Sequence, residues 1–186
     1  MISSEPNIKV GVLEKYSEVS GELLEQFKLT DDVIVTGRFK AVIKNGEIIL
    51  YGGKEIELIR GKEITLKPLN GGSFTLHDVI FGINFHWERK EHQTFQGSLR
   101  LLARENGITA INEVSVEKYL ASVISSEMSA TAPMALLKAH AITSRSWLVA
   151  MLEMKKKFSN LGIPSQRTQQ SDTELVRYYD REDHDI

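Results

Sequence analysis

The run "VISSEM", residues 123 to 128, puts a glutamate where the surrounding pattern calls for an apolar side chain. Val116, Tyr119, Leu120, Val123 and Ile124 recur at spacings of three and four, the signature of one helix face turned toward a core. At about 100° per residue, Glu127 falls about 20° around the axis from Val116, inside that stripe. A carboxyl sheltered there from bulk water holds a proton more readily than one in solution, which is what a general acid working near neutral pH requires. Ser125 and Ser126 beside it offer hydroxyls to a polar ligand. The plainer alternative is a side chain at the last helical turn that swings into water or pairs with Lys138 or Arg145.

The next helical run brings four more polar groups. His140 and Ser144 intrude into an otherwise apolar arc, whereas Lys138 and Arg145 stand seven residues apart on one edge. Histidine titrates in the range acid–base chemistry uses, but a buried histidine with a bonded ring nitrogen is the simpler reading of His140. Lys138 and Arg145 read equally as an anion-binding edge or as a solvated flank. Further upstream, His86 and Glu88 share one face of an extended run and could join His92 around a metal, though neighbours on one strand supply few ligands.

The elements that must position these groups fall into two portions. From Ile8 to about Val114 the chain reads as short strands: "IKVGVL", "DVIVTG", "FKAVIK", "EIILYGG", "EIELI", "EITLKP" and "SFTLHDV" are alternating or β-branched runs separated by turn residues. "KNGE" at 44 to 47 predicts a tight hairpin, because Asn45-Gly46 accepts the positive φ angles such a turn demands. In Phe81 to Arg89, Phe81, Ile83, Phe85 and Trp87 share one face of a predicted strand. Two helices follow, over 116–128 and 133–157. Ser129 or Thr131 can cap the second, Pro133 suits its first turn, and Lys155, Lys156 and Lys157 complement its C-terminal dipole. Leu136, Leu137, Ala141, Trp147, Leu148 and Met151 on one face, with Ala135, Ala139 and Ala150 on another, predict a helix covered on more than one side. The fold class is therefore α+β, with a β-rich portion over 1–114 and a helical portion over 115–186. Beyond Phe158 the sequence turns polar, with a little extended structure expected around Leu175 to Tyr179, and its acidic ending reads as a chain that stops partway through a longer protein.

Composition narrows the function. With 186 residues, 41% hydrophobic and 26% charged, the chain can fold around a core of its own. A formal charge of −2 with the signs interspersed argues against a nucleic-acid partner. There is no cysteine, which removes thiolate catalysis, disulfides and cysteine zinc sites. No apolar run is long enough to span a membrane, and the opening "MISSEPNIKV" has no secretory signature, so an exported protein would owe its signal to residues outside this sequence.

The block "VSVEKYLASVISSEMSATAPMALLKAHAITSRSWLVAML" resembles the core of the stage II sporulation protein D family, which also contains the amidase-enhancer proteins. The shared pattern is an "E-x-Y-L" helix (Glu117, Tyr119, Leu120), then "S-E-M" (Ser126, Glu127, Met128), then "A-L-K-A-x-A" and an arginine (Leu137, Lys138, Ala139, Ala141, Arg145). The resemblance implies a bacterial cell-envelope protein and, for members that are enzymes, a lytic transglycosylase cutting peptidoglycan strands stripped of their peptide stems. It implies Glu127 as the catalytic acid and base, with Lys138 and Arg145 at matching positive positions around the substrate; Ser126 and His140, from their own places on the helices, are the further candidate substrate contacts. The implied alternative is a glycan-binding or amidase-enhancing module that does not cut. In the family the domain continues into a His- and Cys-containing segment that holds zinc in some members. Here the sequence reaches His184 as the one candidate ligand for such a metal.

Overall fold

The computed structural model describes residues 5–30, 33–81, 89–129, 131–160 and 176–177. Ten strands come first: β1 (Asn7–Tyr16), β2 (Glu18–Lys28), β3 (Ile34–Lys44), β4 (Glu47–Tyr51), β5 (Glu57–Gly61), β6 (Glu63–Pro68), β7 (Ser73–Phe81), β8 (Arg89–Gln96), β9 (Ser98–Arg104) and β10 (Gly107–Ser115). Then come α1 (Val116–Glu127), α2 (Met134–Asn160) and a short β11 (Val176–Arg177). This is the α+β architecture that the strand runs and helical periodicities predict, with the helices within three residues of their expected ends. The chain divides into a β unit, residues 1–115 with 175–180, and a helical unit, 116–174 with 181–186.

Within the β unit the strands run in the order β11-β1-β10-β9-β6-β2-β3-β4-β5, with β7 paired to β2 and to β8. The pairings are antiparallel apart from β11, which lies parallel to β1. The sheet curls over a single apolar core. Leu13, Leu99, Leu101 and Ile108 from one end of the strand order share it with Phe39, Ile48 and Leu50 from the other, all at most 5% exposed. Phe74 sits at its centre, stacked on Phe95 at 5.6 Å and meeting Phe27 edge-on at 6.4 Å, the offset geometries that aromatic quadrupoles favour.

The Asn45-Gly46 hairpin forms as its sequence predicts, with φ of 55° and 77° at the two positions and Lys44 facing Glu47 across the turn. β2 has no counterpart among the predicted strands. Its alternation holds from Val19 to Leu23, breaks over the exposed Leu24, Glu25 and Gln26, and resumes at Phe27. The break is a bulge in its register with β3. It is also where β2 exchanges partners on its other edge, from β7 to β6. A strand that changes partner partway along cannot keep a strict period of two.

Gly21 in β2 lies under the Phe39 ring and against β7. A Cβ placed there would meet the Thr75 carbonyl oxygen and ring atoms of Phe39 closer than van der Waals contact allows. Neither neighbour can withdraw, because one is ladder backbone and the other is core. Gly21→Ala is therefore expected to lower unfolding stability by about 1–3 kcal/mol, the usual cost of overpacking. A urea unfolding midpoint equal to wild type would show that the strands can part at no cost.

Candidate active site

α1 follows β10 without an intervening loop, and its first two turns bury Val116, Tyr119 and Leu120. The apolar stripe then fades: Val123 and Ile124 are half-buried, and the Glu127 side chain is 38% exposed. The stripe reading places this carboxyl deeper than it lies, because α1 is near its end and the last turn opens to solvent. The Met128 N–H still bonds the Ile124 carbonyl at 3.0 Å, so the backbone around Glu127 remains helical.

Between the helices, Ser129 and Thr131 form a small turn of their own. Their hydroxyls are 2.8 Å apart, and Ser129 Oγ accepts from the Thr131 N–H. These groups cap the turn rather than α2. The Pro133 carbonyl takes the first α2 amides, from Leu136 at 2.9 Å and Leu137 at 3.1 Å, placing proline immediately before the helix, one residue earlier than a first-turn position.

α2 runs antiparallel to α1, and two polar ties record it. Near the start of α1, Arg145 grips Glu117 in a two-point fork, Nε to Oε1 at 2.8 Å and Nη2 to Oε2 at 2.5 Å. At its end, His140 Nε2 lies 3.0 Å from Glu127 Oε2. The carboxylate can only accept, so Nε2–H is the donor. His140 Nδ1 is sealed from solvent with no partner among the described residues, which assigns the hydrogen to Nε2 and the bare lone pair to Nδ1. The imidazole is 19% exposed, so the bond is largely shielded on the histidine side and open on the glutamate side.

The sequence-predicted residues thus separate. Glu127 and His140 are brought together. Ser126 stands beside them, half-buried, its hydroxyl donating to the Val123 carbonyl at 2.8 Å and leaving its lone pairs to accept. Arg145 is not brought to Glu127: it engages Glu117, ten residues earlier and about 15 Å along the helix. Lys138 is exposed, makes no ion pair among the described residues, and lies about 200° around α2 from His140. His184 lies outside the described residues, as do His86, Glu88 and the predicted face of Ile83, Phe85 and Trp87. His92 is exposed on β8, its ring centroid 4.6 Å from that of His77. No cluster of three metal-ligating side chains occurs among the described residues.

The expected covering of α2 is not found among the described residues. Leu148 is buried, but Leu136, Ile142 and Trp147 are each about half exposed, and Ala135, Ala139 and Ala150 face solvent. The partner of Glu127 also differs from the cations anticipated, because residue types alone do not reveal which face of α2 meets the end of α1.

A β unit followed by an antiparallel helix pair, with a carboxyl and an imidazole bonded at its turn, is the arrangement that defines this protein. Residues 104–185, just under half the chain, match the family model of SpoIID, stage II sporulation protein. The match begins at the last residue of β9 and takes in β10, both helices and β11. No curated protein and no solved structure matches the chain. No helix among the described residues is long and apolar enough to cross a membrane.

The fork to Arg145 holds the Glu117 carboxyl below the usual carboxylate range, its hydrogen bonds outweighing the opposing effect of burial. A depressed carboxyl contributes stability above its unfolded pKa and loses it as pH falls through the folded value. Both groups are exposed, so the contribution is small. Glu117→Gln should lower the melting temperature at pH 7 by at most about 3 °C, and the gap from wild type should close as the pH drops from about 4 toward 2. A gap that persists at pH 2 would assign the loss to packing instead.

Proposed function

We propose that the protein is a lytic transglycosylase of the bacterial cell envelope, outside the cytoplasm, acting on peptidoglycan strands freed of peptide stems, with Glu127 as its single acid and base. The observation that carries this reading is the Glu127–His140 pair: a carboxyl at a helix end, half open to solvent, held at one oxygen by a shielded N–H donor. It is supported by the SpoIID match across both helices.

One carboxyl suffices for the chemistry. Protonated, Glu127 donates to the glycosidic oxygen between N-acetylmuramic acid and N-acetylglucosamine as the C1–O bond breaks. The resulting oxocarbenium-like centre is stabilised by the substrate's own acetamido group, so no second carboxylate nucleophile is needed. The Glu127 carboxylate then takes the proton of the muramic C6 hydroxyl as that oxygen closes on C1. The product carries a 1,6-anhydro ring, no water is consumed, and Glu127 ends protonated as it began. His140 acts as a positioning residue: its N–H occupies Oε2 and leaves Oε1 to carry the travelling proton. Arg145 orders the start of α1 through Glu117, and Lys138, nearly opposite His140 around α2, stands apart from this site. A zinc ion, were one bound, would draw on His184.

One observation favours a second reading, an accessory module that grips a partner such as a cell-wall amidase without cutting. The exposed Leu136, Trp147 and Met154, within about 20° of one another around α2, give such a partner an apolar stripe.

Incubation with stem-free glycan, followed by mass spectrometry of the products, separates the two. Wild-type protein is expected to release fragments ending in anhydro-muramic acid, and Glu127→Gln to reduce their rate by about 10²-fold to 10⁴-fold. An equal yield from both proteins would remove Glu127 from the mechanism, and glycan retention without cleavage by wild type would favour the accessory module. His140→Ala should cost about 10-fold to 100-fold through misplacement of the acid. His140→Gln, whose amide can still donate, should recover part of that loss; if it does not, donation by His140 is not what matters.

A further inference from the structure

At one end of the β unit, turns far apart in sequence converge on an open cleft of about 760 Å³. The end of β1 brings Lys15, the β3–β4 hairpin brings Asn45, the β5–β6 turn brings Lys62, and the end of β9 with the turn after it brings Arg104, Glu105 and Asn106. The size suits a bound oligosaccharide rather than a single ion. Three cations against one carboxylate leave the lining positive on a protein whose overall charge is −2. Lys15, Lys62 and Arg104 are exposed and form no ion pair among the described residues, although elsewhere in this unit Lys40, Arg60 and Arg100 each have a glutamate partner.

The turns are also tied to one another. The Ile43 N–H bonds the Ser17 carbonyl at 3.3 Å, and the Ala103 N–H bonds the Lys62 carbonyl at 2.8 Å. Gly107, at φ +130°, lets the β9–β10 turn press against the Lys15–Tyr16 backbone, where a Cβ would meet the Tyr16 carbonyl oxygen at 2.7 Å. The cations therefore project from backbone fixed before any ligand arrives, and less ordering is lost on binding.

We propose that this cleft is a second glycan-binding site, which holds a sugar strand through its carboxylates. Lysine and arginine side chains take the acid groups as charge-assisted contacts, and Asn45 and Asn106 take hydroxyls and amides. The choice of glycan rests on the cell-wall reading above. The preference for acidic over neutral sugar rests on the lining alone. A strand held here stays with the protein between encounters with the helical unit, as any second binding site on one chain allows.

The test is a titration of ¹⁵N-labelled Glu127→Gln protein, followed by amide shifts at Gly46, Asn106 and Gly107. The probe is a stem-free tetrasaccharide of alternating N-acetylglucosamine and N-acetylmuramic acid. The comparator is chitotetraose, the same skeleton without lactyl carboxylates. The acidic probe is expected to move these amides, with affinity at least ten-fold above chitotetraose and falling as salt rises. Lys62→Ala with Arg104→Ala should weaken it at least ten-fold while leaving the unfolding midpoint unchanged. Turn amides that stay still, equal binding of chitotetraose, or preferential binding of a glycerol-phosphate polymer would each overturn the assignment. Wild-type protein that cuts glycan while these amides stay still would overturn the cleft alone. Amide shifts without any cutting would support the cleft and refute the transglycosylase.

Discussion

A carboxylate at the end of an apolar helix face must either reach water or find a donor, and in this protein it does both. His140 fills one Glu127 oxygen from a sheltered position on α2, and the other side of the group remains in solvent. The arrangement requires the helices to run antiparallel and the connection between them to be short. It also requires α2 to present the face bearing residue 140 where α1 ends. The self-contained turn of Ser129 and Thr131, and Pro133 placed just before α2, meet those requirements with local hydrogen bonds. The Arg145–Glu117 fork adds a second tie at the other end of α1, so the two helices are pinned at separated points and cannot easily slide in register.

The same helix pair carries an apparent contradiction. α2 is long, and several of its large apolar side chains lie half in water, while among its described side chains Leu148 alone is fully buried. A free helix with that pattern gains little from its apolar face, since helical stability in proteins comes mainly from burial. The polar ties near its first half therefore matter more to this helix than exposed ion pairs ordinarily would.

Strong local rules made much of the architecture readable in the sequence. Asn45-Gly46 announced its hairpin because few other residues accept the backbone it needs. Val116 to Ile124 announced a helix because five apolar positions kept its period. β2 did not announce itself, since its bulge and change of partner erase the alternation on which the reading depends. The site was legible in its residue types and not in its pairings. Glu127 stood out as a misfit, but its partner sits thirteen positions away on another element, and Arg145 found Glu117 rather than the nearer misfit. The cleft in the β unit left no trace in sequence: Lys15, Lys62 and Arg104 are ordinary surface cations until the strand order gathers their turns.

β11 is only two residues long, yet it gives β1 a second neighbour and closes off what would otherwise be an open strand edge at Val10 and Gly11. It lies on one side of β1 while β10 lies on the other, with Val176 opposite Val10 and Ser115 opposite Asn7. The chain leaves the sheet from one neighbour of β1 and comes back as the other, across a gap of about two strand spacings, roughly 10 Å.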